Sequence, residues 1–318
     1  LTVRILITGG AGYLGSVLTH QLLTETKLSA VVTVLDNFHH GVPSLAGLLH
    51  YKNLHVLRAD VSDAPMMRRA AAAADVVIAL AAVVGAPACA REPDRALQTN
   101  YLAISRLVEM LRPGQRLIFP NTNSGYGAAG DAPCTEDTPL NPVSFYGETK
   151  VRAERLILER PNSASLRFAT LFGSSFRPRL DLLVNDFVYR AVTDRHLTLF
   201  EPEFRRNFLH VRDAAAAIAF AAVHPAFHAG GIGPFNVGDA RANLTKRGLC
   251  EAIKSQAPKF TWTESTAGAD PDRRDYFVST EKLERLGWAP HFSLPDGIAE
   301  LIKLYRLPGW APAAWRNA

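Results

Sequence analysis

The chain has 318 residues, 47% of them hydrophobic and 20% charged, with a formal net charge of +5. This length suits two domains, or one large domain with an added lobe, and the hydrophobic fraction excludes a disordered chain. No apolar run reaches the roughly 18–20 residues of a membrane span, no signal peptide is recognisable, and the three cysteines lie far apart, so we expect a cytoplasmic protein without disulfides.

The positive charge is spread along the chain and forms no basic tail. Proteins that bind nucleic acid usually concentrate their basic residues in a stripe or patch, so we expect no nucleic-acid partner. Two interpretations stay open at this point. The arginines form an ordinary basic surface, or a few of them bind an anionic ligand.

Strand-length apolar segments alternate with helical patterns in the first half of the chain. The predicted strands are Val3–Thr8, 31–35, 54–57, 75–80, 116–120 and 165–168. The predicted helices are Tyr13–Thr24, 66–74, 96–111 and 146–159. This alternation is typical of a parallel sheet covered by helices on both faces. We therefore predict an α/β fold, a Rossmann doubly wound sheet with a smaller mixed α/β lobe that binds substrate.

The second half is less regular, with proline- and glycine-rich breaks and one alanine-rich helix predicted at 214–223. We expect part of it to complete the Rossmann domain and the rest to form the smaller lobe. The predicted boundaries are 1–171 with 206–238 for the Rossmann domain, and 172–205 with 239–318 for the lobe.

A glycine-rich turn joins the first predicted strand to the first helix, with glycines at 9, 12 and 15. Such a turn lets the backbone approach a pyrophosphate, which the helix N-terminus then attracts. Asp36 ends the second predicted strand, where a carboxylate binds ribose hydroxyls and repels a 2′-phosphate. These residues predict a dinucleotide site that prefers NAD to NADP.

Tyr146 and Lys150 lie one helical turn apart in a predicted helix. An ammonium close to a phenol lowers the pKa of the phenol, which suits it to proton transfer near neutrality. Taken alone, this spacing also fits an ordinary surface pair. However, Thr122 and Ser124 follow the fifth predicted strand, at the sheet edge where doubly wound folds bind ligands.

Together these motifs resemble those of extended short-chain dehydrogenases/reductases, and more narrowly the NAD-dependent sugar-nucleotide epimerase/dehydratase family. The resemblance covers nearly the whole chain. Within that family, four stretches are similar to GDP-D-glycero-D-manno-heptose 4-dehydrogenases. They are VVGAP at 83–87, PNTNSGYG at 120–127, LDLLVNDF at 180–187 and DPDRRDY at 270–276.

The resemblance implies NAD as cofactor. We expect no metal, because none of the ten histidines shows the spacing of metal ligands. It implies that Tyr146 is the general base, that Lys150 lowers its pKa and holds the nicotinamide ribose, and that Thr122 binds the same sugar oxygen. The implied cofactor-binding residues are Gly9, Gly12, Tyr13, Leu14, Gly15, Asp36, Asn37, Asp60, Val61, Leu80, Ala81, Ala82, Asn100, Tyr146 and Lys150. The implied substrate-binding residues are Val84, Gly85, Thr122, Ser124, Tyr146, Thr170, Asn185, Arg206 and Arg274.

Arginines are the natural partners of the anionic half of such a substrate. By the resemblance, Arg206 and Arg274, with Arg273 beside it, contact the nucleotide diphosphate. Surface positions on solvated loops are the alternative for each. We interpret three nearby charged residues as part of a surface loop, namely Arg177, Arg179 and Asp181.

The two residues after Thr122 limit the types of reaction that we expect. Family dehydratases carry an Asp-Glu pair there and decarboxylases tend to carry a glutamate, whereas this chain has Asn123 and Ser124. An amide and a hydroxyl do not act as bases near pH 7. We therefore expect oxidation at C4, with GDP-D-glycero-D-manno-heptose or a related sugar nucleotide converted to its 4-keto form.

Two alternatives remain. One is a sugar-nucleotide 4-epimerase, which needs the same catalytic residues. The other is a non-catalytic regulatory protein that binds a dinucleotide on the same fold, which the Tyr146–Lys150 pair makes less favoured. The expected partners are a nucleotide sugar, with GDP-linked sugars favoured, and a second copy of the chain. The family implies a homodimer through the helices at 96–111 and 146–159.

Overall fold

The fold is taken from a computed structural model, which describes residues 2–26, 28–228, 233–266, 274–308 and 315–317. Its strands are β1 (Val3–Thr8), β2 (Ala30–Asp36), β3 (Leu54–Arg58), β4 (Val76–Ala79), β5 (Arg116–Thr122), β6 (Ser163–Phe168), β7 (Thr170–Phe172), β8 (His196–Phe200), β9 (Arg205–His210), β10 (Pro234–Val237), β11 (Asn243–Thr245) and β12 (Thr261–Ser265). Its helices are α1 (Tyr13–Thr24), α2 (Ala64–Ala72), α3 (Ala86–Arg91), α4 (Pro93–Leu97), α5 (Ala103–Met110), α6 (Phe145–Leu158), α7 (Leu183–Thr193), α8 (Val211–Val223), α9 (Lys246–Gln256), α10 (Glu281–Glu284) and α11 (Leu294–Tyr305), with a π-helical segment at Gln98–Leu102.

A seven-stranded parallel sheet lies at the centre, in the order β3-β2-β1-β4-β5-β6-β10. One face is covered by α1 and α8, with Leu18 and Ile218 in the same buried cluster. The other face is covered by α2, α5 and α6, through Met67, Leu107 and Ile157. Helices on both faces explain why these strands are apolar throughout, and the predicted Rossmann fold class is confirmed.

Two smaller sheets, in the orders β11-β9-β7 and β12-β8, belong to a second part of the molecule. A separate buried cluster forms there around Val184, Phe208, Ile253 and Leu301. The strand β10, from the second half of the chain, pairs with β6 and extends the large sheet. The exact domain boundaries stay a prediction.

The helix predicted at 96–111 differs from the observed structure. It is divided into α4, the π-helical segment and α5. Asn100 lies in the π segment, where its side chain accepts a bond from the Val83 N–H and donates to the Val83 carbonyl. The change from α- to π-helical geometry therefore coincides with a tertiary contact. The periodicity of apolar residues predicts neither the contact nor the change. Within the described ranges, no helix has the length and hydropathy of a membrane span.

Candidate active site

A cavity of 720 Å³ opens where the strand order reverses between β1 and β4. Its wall is built from the turn after β1, the ends of β2, β4 and β5, the start of α6 and the loop after β7. The carboxyl ends of neighbouring parallel strands diverge at such a reversal, which leaves a crevice for a ligand.

The turn between β1 and α1 is shaped for close approach of a ligand. Gly9 has a φ of +73°, and a Cβ there would lie 2.7 Å from the Ala81 nitrogen. A Cβ on Gly15 would overlap the Gly9 carbonyl oxygen. Gly12 precedes α1 and has no side chain that could cap the first N–H groups of the helix. The start of α1 lies on the cavity wall. This arrangement fits a dinucleotide pyrophosphate.

Asp36 lies on the cavity wall at the end of β2. Its carboxylate accepts bonds from the Ala11 and Phe38 N–H groups, at 3.0 and 2.8 Å. Burial raises the pKa of Asp36, although these two bonds oppose the shift. The backbone bonds fix the carboxylate beside the glycine-rich turn, and its contact with an NAD ribose stays a prediction.

Asp60 and Asn37 form the neighbouring part of the wall. The Asn37 amide donates to Asp60 at 2.8 Å, and the N–H and hydroxyl groups of Ser62 donate to the other carboxylate oxygen. Burial opposes ionisation here, yet these bonds leave the pKa of Asp60 below its usual value. Asp60 lies two residues beyond the end of β3.

The helix α6 carries Tyr146 and Lys150, and Ser144 caps its first turn. The Lys150 ammonium donates to the Pro120 carbonyl at 2.7 Å and lies 3.8 Å from the centre of the Phe119 ring. Burial lowers the pKa of Lys150 to about 7, against the opposing effect of the Glu154 carboxylate. Tyr146 is half-buried and lines the cavity with Lys150.

A buried polar network holds α6 against the sheet. Glu154, one turn beyond Lys150, accepts bonds from Asn121 on β5 and from Ser165 and Arg167 on β6, at 2.7, 2.6 and 2.7 Å. All of these residues are buried, so the bonds form in a poorly screened environment. The network therefore sets the position of the helix that carries Tyr146.

Three polar side chains meet at the end of β5. The Thr122 and Ser124 hydroxyl oxygens are 2.8 Å apart, and the Ser124 N–H donates to the Thr122 hydroxyl at 3.1 Å. The Arg274 guanidinium donates to the Ser124 hydroxyl. Arg206 lies on the same cavity wall, 2% exposed, and donates to the Arg205 carbonyl at 2.9 Å.

Nearly all of the predicted site residues reach this cavity. Those on its wall are Gly9, Gly12, Tyr13, Leu14, Gly15, Asp36, Asn37, Asp60, Val61, Leu80, Ala81, Ala82, Val84, Gly85, Thr122, Ser124, Tyr146, Lys150, Thr170, Arg206 and Arg274. Arg273 and the start of the motif at 270–276 lie outside the described residues. The individual roles of these residues stay predictions.

Two predicted contacts are not among the residues that line the cavity. Asn100 is buried behind it and clamps the backbone of Val83. Asn185 is also buried, and its amide accepts a bond from the Gly173 N–H and donates to the Arg179 carbonyl. Both asparagines therefore shape loops that form the wall. Their contact with a ligand stays a prediction.

The interpretation of Arg177 and Arg179 as surface residues was wrong, whereas Asp181 is exposed as expected. Arg177 and Arg179 are only 2% and 8% exposed, and all three residues line the cavity. Arg179 pairs with Asp181 at 2.5 Å, while Arg177 donates to the Asn317 amide oxygen at 2.7 Å. Burial lowers the pKa of Arg177 to about 10. The position of this segment just after β7 was the available signal, since it follows a strand at the ligand-binding edge.

The described residues contain no group of three or more His, Cys, Asp or Glu side chains that could hold a metal ion. The observed features fit a dinucleotide instead. They are a glycine cradle that a Cβ would fill, a helix N-terminus and a backbone-fixed carboxylate.

Comparison with known proteins agrees with this geometry. The profile of the NAD dependent epimerase/dehydratase family matches residues 5–238. The low-salt glycan biosynthesis protein Agl12 of Haloferax volcanii is 27% identical over 311 residues, which covers 95% of this chain and 98% of that protein. The uncharacterized UDP-glucose epimerase YtcB of Bacillus subtilis is 29% identical over 331 residues, which covers 96% of this chain and 99% of that protein.

A solved structure shares the fold. The UDP-glucuronic acid 4-epimerase of Bacillus cereus, in complex with UDP-glucuronic acid and NAD, superimposes with a TM-score of 0.81. It is 23% identical, and the match covers 95% of this chain and 99% of that one. At this identity the likeness is one of fold.

Proposed function

The chain belongs to the NAD dependent epimerase/dehydratase family, and from this we propose that it oxidises C4 of a nucleotide-linked sugar, with GDP-D-glycero-D-manno-heptose as the first candidate substrate. It is an enzyme, and NAD is its cofactor. The choice of heptose and of GDP rests on the four stretches that resemble GDP-heptose 4-dehydrogenases.

One observation supports oxidation without loss of water. Thr122 and Tyr146 share a cavity wall, and the residues directly after Thr122 are Asn123 and Ser124, where a dehydratase needs an acid and a base. The carboxylates that do line the cavity have other partners. They are Asp36 with backbone N–H groups, Asp60 with Asn37 and Ser62, Glu92 with Arg95, Asp181 with Arg179, and Asp186 with Arg190.

In this reaction Tyr146 takes the proton of the C4 hydroxyl, and Thr122 binds the same oxygen. The C4–H bond breaks as the C4–O double bond forms, so the alcohol loses a proton and a hydride and becomes a ketone. NAD, when bound, supplies the acceptor for the hydride. The turn at 9–15 and Asp36 would hold it, with the pyrophosphate at the start of α1.

The diphosphate of the substrate requires cationic partners. Arg206 and Arg274 lie on the cavity wall with Thr122, and a guanidinium presents its N–H groups as a fork that matches phosphate oxygens. We propose that these two arginines bind the diphosphate and so place the sugar beside Tyr146.

A 4-epimerase is the second candidate. It is favoured by the similarity to the UDP-glucose epimerase YtcB of Bacillus subtilis. The same residues would form the same ketone, which would stay bound, rotate and regain the hydride on its opposite face.

The two candidates differ in their products. We would incubate the protein with NAD and GDP-D-glycero-D-manno-heptose, follow the absorbance of NADH and identify the sugar by NMR. A released 4-keto sugar with an equal amount of NADH supports the dehydrogenase. A C4 epimer without net NADH supports the epimerase, and no product from any of a panel of GDP- and UDP-sugars refutes both.

The same assay tests Tyr146. Tyr146→Phe removes the proton acceptor and should lower kcat by about 10²–10⁴-fold, the usual contribution of general base catalysis. Calorimetric titration should show that NAD still binds. Tyr51→Phe is the matched control, because Tyr51 lies outside the cavity and should be dispensable for turnover. Wild-type turnover by Tyr146→Phe would contradict the assignment.

A further inference from the structure

We infer that Ser124 is a positioning residue that makes Thr122 a hydrogen-bond donor to the reacting sugar oxygen, and that it links Thr122 to Arg274. This inference rests on the proposed function for the identity of that oxygen. It replaces the expected role of Ser124 as a substrate contact.

The direction of the bond between the two hydroxyls follows from the partners of Ser124. Its oxygen already accepts a bond from the Arg274 guanidinium. If Thr122 donated to it as well, both lone pairs of Ser124 would be used and its own proton would need another acceptor. The described contacts of the Ser124 side chain provide none besides the Thr122 oxygen at 2.8 Å. We therefore assign the Ser124 hydroxyl as the donor and the Thr122 hydroxyl as the acceptor of this bond.

This direction determines what Thr122 can do. Its oxygen accepts two bonds, from the Ser124 hydroxyl and from the Ser124 N–H at 3.1 Å. Both lone pairs are then used, and the only remaining capacity of Thr122 is its own proton. Thr122 is half-buried on the cavity wall, so that proton is available to a ligand. As a pure donor, it stabilises negative charge on the sugar oxygen but cannot compete with Tyr146 for the sugar proton.

Burial supports a positioning role for Ser124. Ser124 is only 3% exposed, and in the inferred orientation its hydroxyl proton is donated to Thr122. A direct bond to substrate would require that proton to leave Thr122.

The chain of bonds begins at Arg274. A guanidinium has several N–H groups arranged as a fork, so a side chain that holds Ser124 can also belong to a phosphate site. The same side chain proposed to bind the diphosphate thus fixes the Ser124 hydroxyl, and through it the Thr122 hydroxyl. Two hydrogen bonds, from Arg274 to Ser124 and from Ser124 to Thr122, thus connect the proposed diphosphate site with the hydroxyl that binds the reacting sugar oxygen.

A double-mutant cycle tests the chain of bonds with the nucleotide sugar that is turned over. Ser124→Ala should lower kcat roughly tenfold or more, because the Thr122 hydroxyl then regains a free lone pair and a second orientation. The same substitution should leave KM within about twofold of the wild-type value. In a Thr122→Val background, Ser124→Ala should have no further effect, since the hydroxyl that it orients is gone. Additive losses, or a raised KM with unchanged kcat, would show a direct substrate contact and overturn the inference.

Ser163→Ala is the matched control. Ser163 is also a serine 3% exposed whose hydroxyl accepts a bond from an arginine, Arg160, but it lies at the start of β6 away from the cavity. It should keep the kcat and KM of the wild type. A loss of kcat in Ser163→Ala equal to that of Ser124→Ala would mean that the effect is one of folding, and would overturn the positioning role.

Neutron diffraction tests the inference without any substrate. In crystals of the deuterated protein with NAD, the Ser124 deuteron should point at the Thr122 oxygen and the Thr122 deuteron into the cavity. A Ser124 deuteron directed into the cavity would overturn the inference even if the enzyme is active. Conversely, lack of turnover on every nucleotide sugar with the expected deuteron positions would refute only the proposed function.

Discussion

Lys150 combines a proposed chemical role with a cost in stability. Its ammonium lies against the Phe119 ring and donates to one carbonyl, which replaces only part of its hydration. Burial therefore lowers its pKa from 10.5 to about 7. The folded protein binds this proton less tightly than the unfolded chain does, so the stability of the fold depends on pH.

The sign of this dependence gives a prediction. Below about pH 7 the lysine is charged in both states and the desolvation cost is fully present. Between pH 7 and 10.5 the folded form is neutral, so the cost shrinks as pH rises. Lys150→Met should therefore raise Tm by several degrees at pH 6, at roughly 2–4 °C per kcal/mol, and by less at pH 10. Scanning calorimetry at both pH values measures the difference.

Lys303→Met is the control for this experiment, because Lys303 is exposed on α11 and no cost of burial applies to it. Its Tm should follow that of the wild type at both pH values. An increase for Lys150→Met that stays constant up to pH 10 would contradict the account based on a buried charge.

At the scale of elements, the connection between β1 and α1 depends on a backbone contact. The start of α1 approaches the turn so closely that a Cβ on Gly15 would overlap the Gly9 carbonyl oxygen. The surrounding groups are backbone atoms, which cannot rotate away as a side chain could. The helix N-terminus is held at the cavity by this contact, so its packing and the pyrophosphate binding proposed for it are connected.

Gly15→Ala should therefore affect both properties. We expect it to destabilise the fold by about 1–3 kcal/mol, as overpacking does, and to weaken NAD binding at least tenfold. Urea unfolding and calorimetric titration measure the two effects. Gly47→Ala is the matched control, because a Cβ there meets nothing within 4 Å. If Gly15→Ala bound NAD as tightly as Gly47→Ala, the close contact would not matter for the site.

At the scale of the whole molecule, the cavity draws on distant parts of the chain. The glycine-rich turn comes from the first 15 residues, Arg274 from the second half, and Asn317 holds Arg177 from near the other end of the sequence. A site assembled in this way exists only when both the seven-stranded sheet and the buried cluster around Phe208 are folded. The fold and the site are therefore expected to unfold together.

The homodimer is a prediction at this scale. We propose that two copies associate through the helices predicted at 96–111 and 146–159. Light scattering after size exclusion should then give twice the chain mass of 34.7 kDa. Leu156→Glu, at a half-buried position on α6, should shift the protein toward the monomer, whereas Leu49→Glu, already 65% exposed, should not. A monomer at all concentrations would show that the prediction is wrong.

Patterns confined to one element, or to two that follow each other, were readable from the sequence. The alternation of apolar strands and helices predicted the Rossmann fold, and the glycines after β1 with Asp36 after β2 predicted the dinucleotide site. Tyr146 and Lys150 were recognisable because helical geometry alone puts them one turn apart. In each case the contact lies within one helix or at the adjacent ends of neighbouring strands, so spacing along the chain reports it.

Only the tertiary structure decided which polar side chains are buried and which groups they bond. Arg177 and Arg179 look like loop residues in the sequence, but packing of the segment after β7 against the start of α1 buries them at the cavity. Asn100 and Asn185 are predicted ligand contacts, but their amides bind the backbone of loops only 17 and 6 residues away along the chain. The role of Ser124 depends on Arg274, 150 residues away. The periodicity of residue types does not report such contacts, because they arise when irregular loops and distant segments pack together and lose their water.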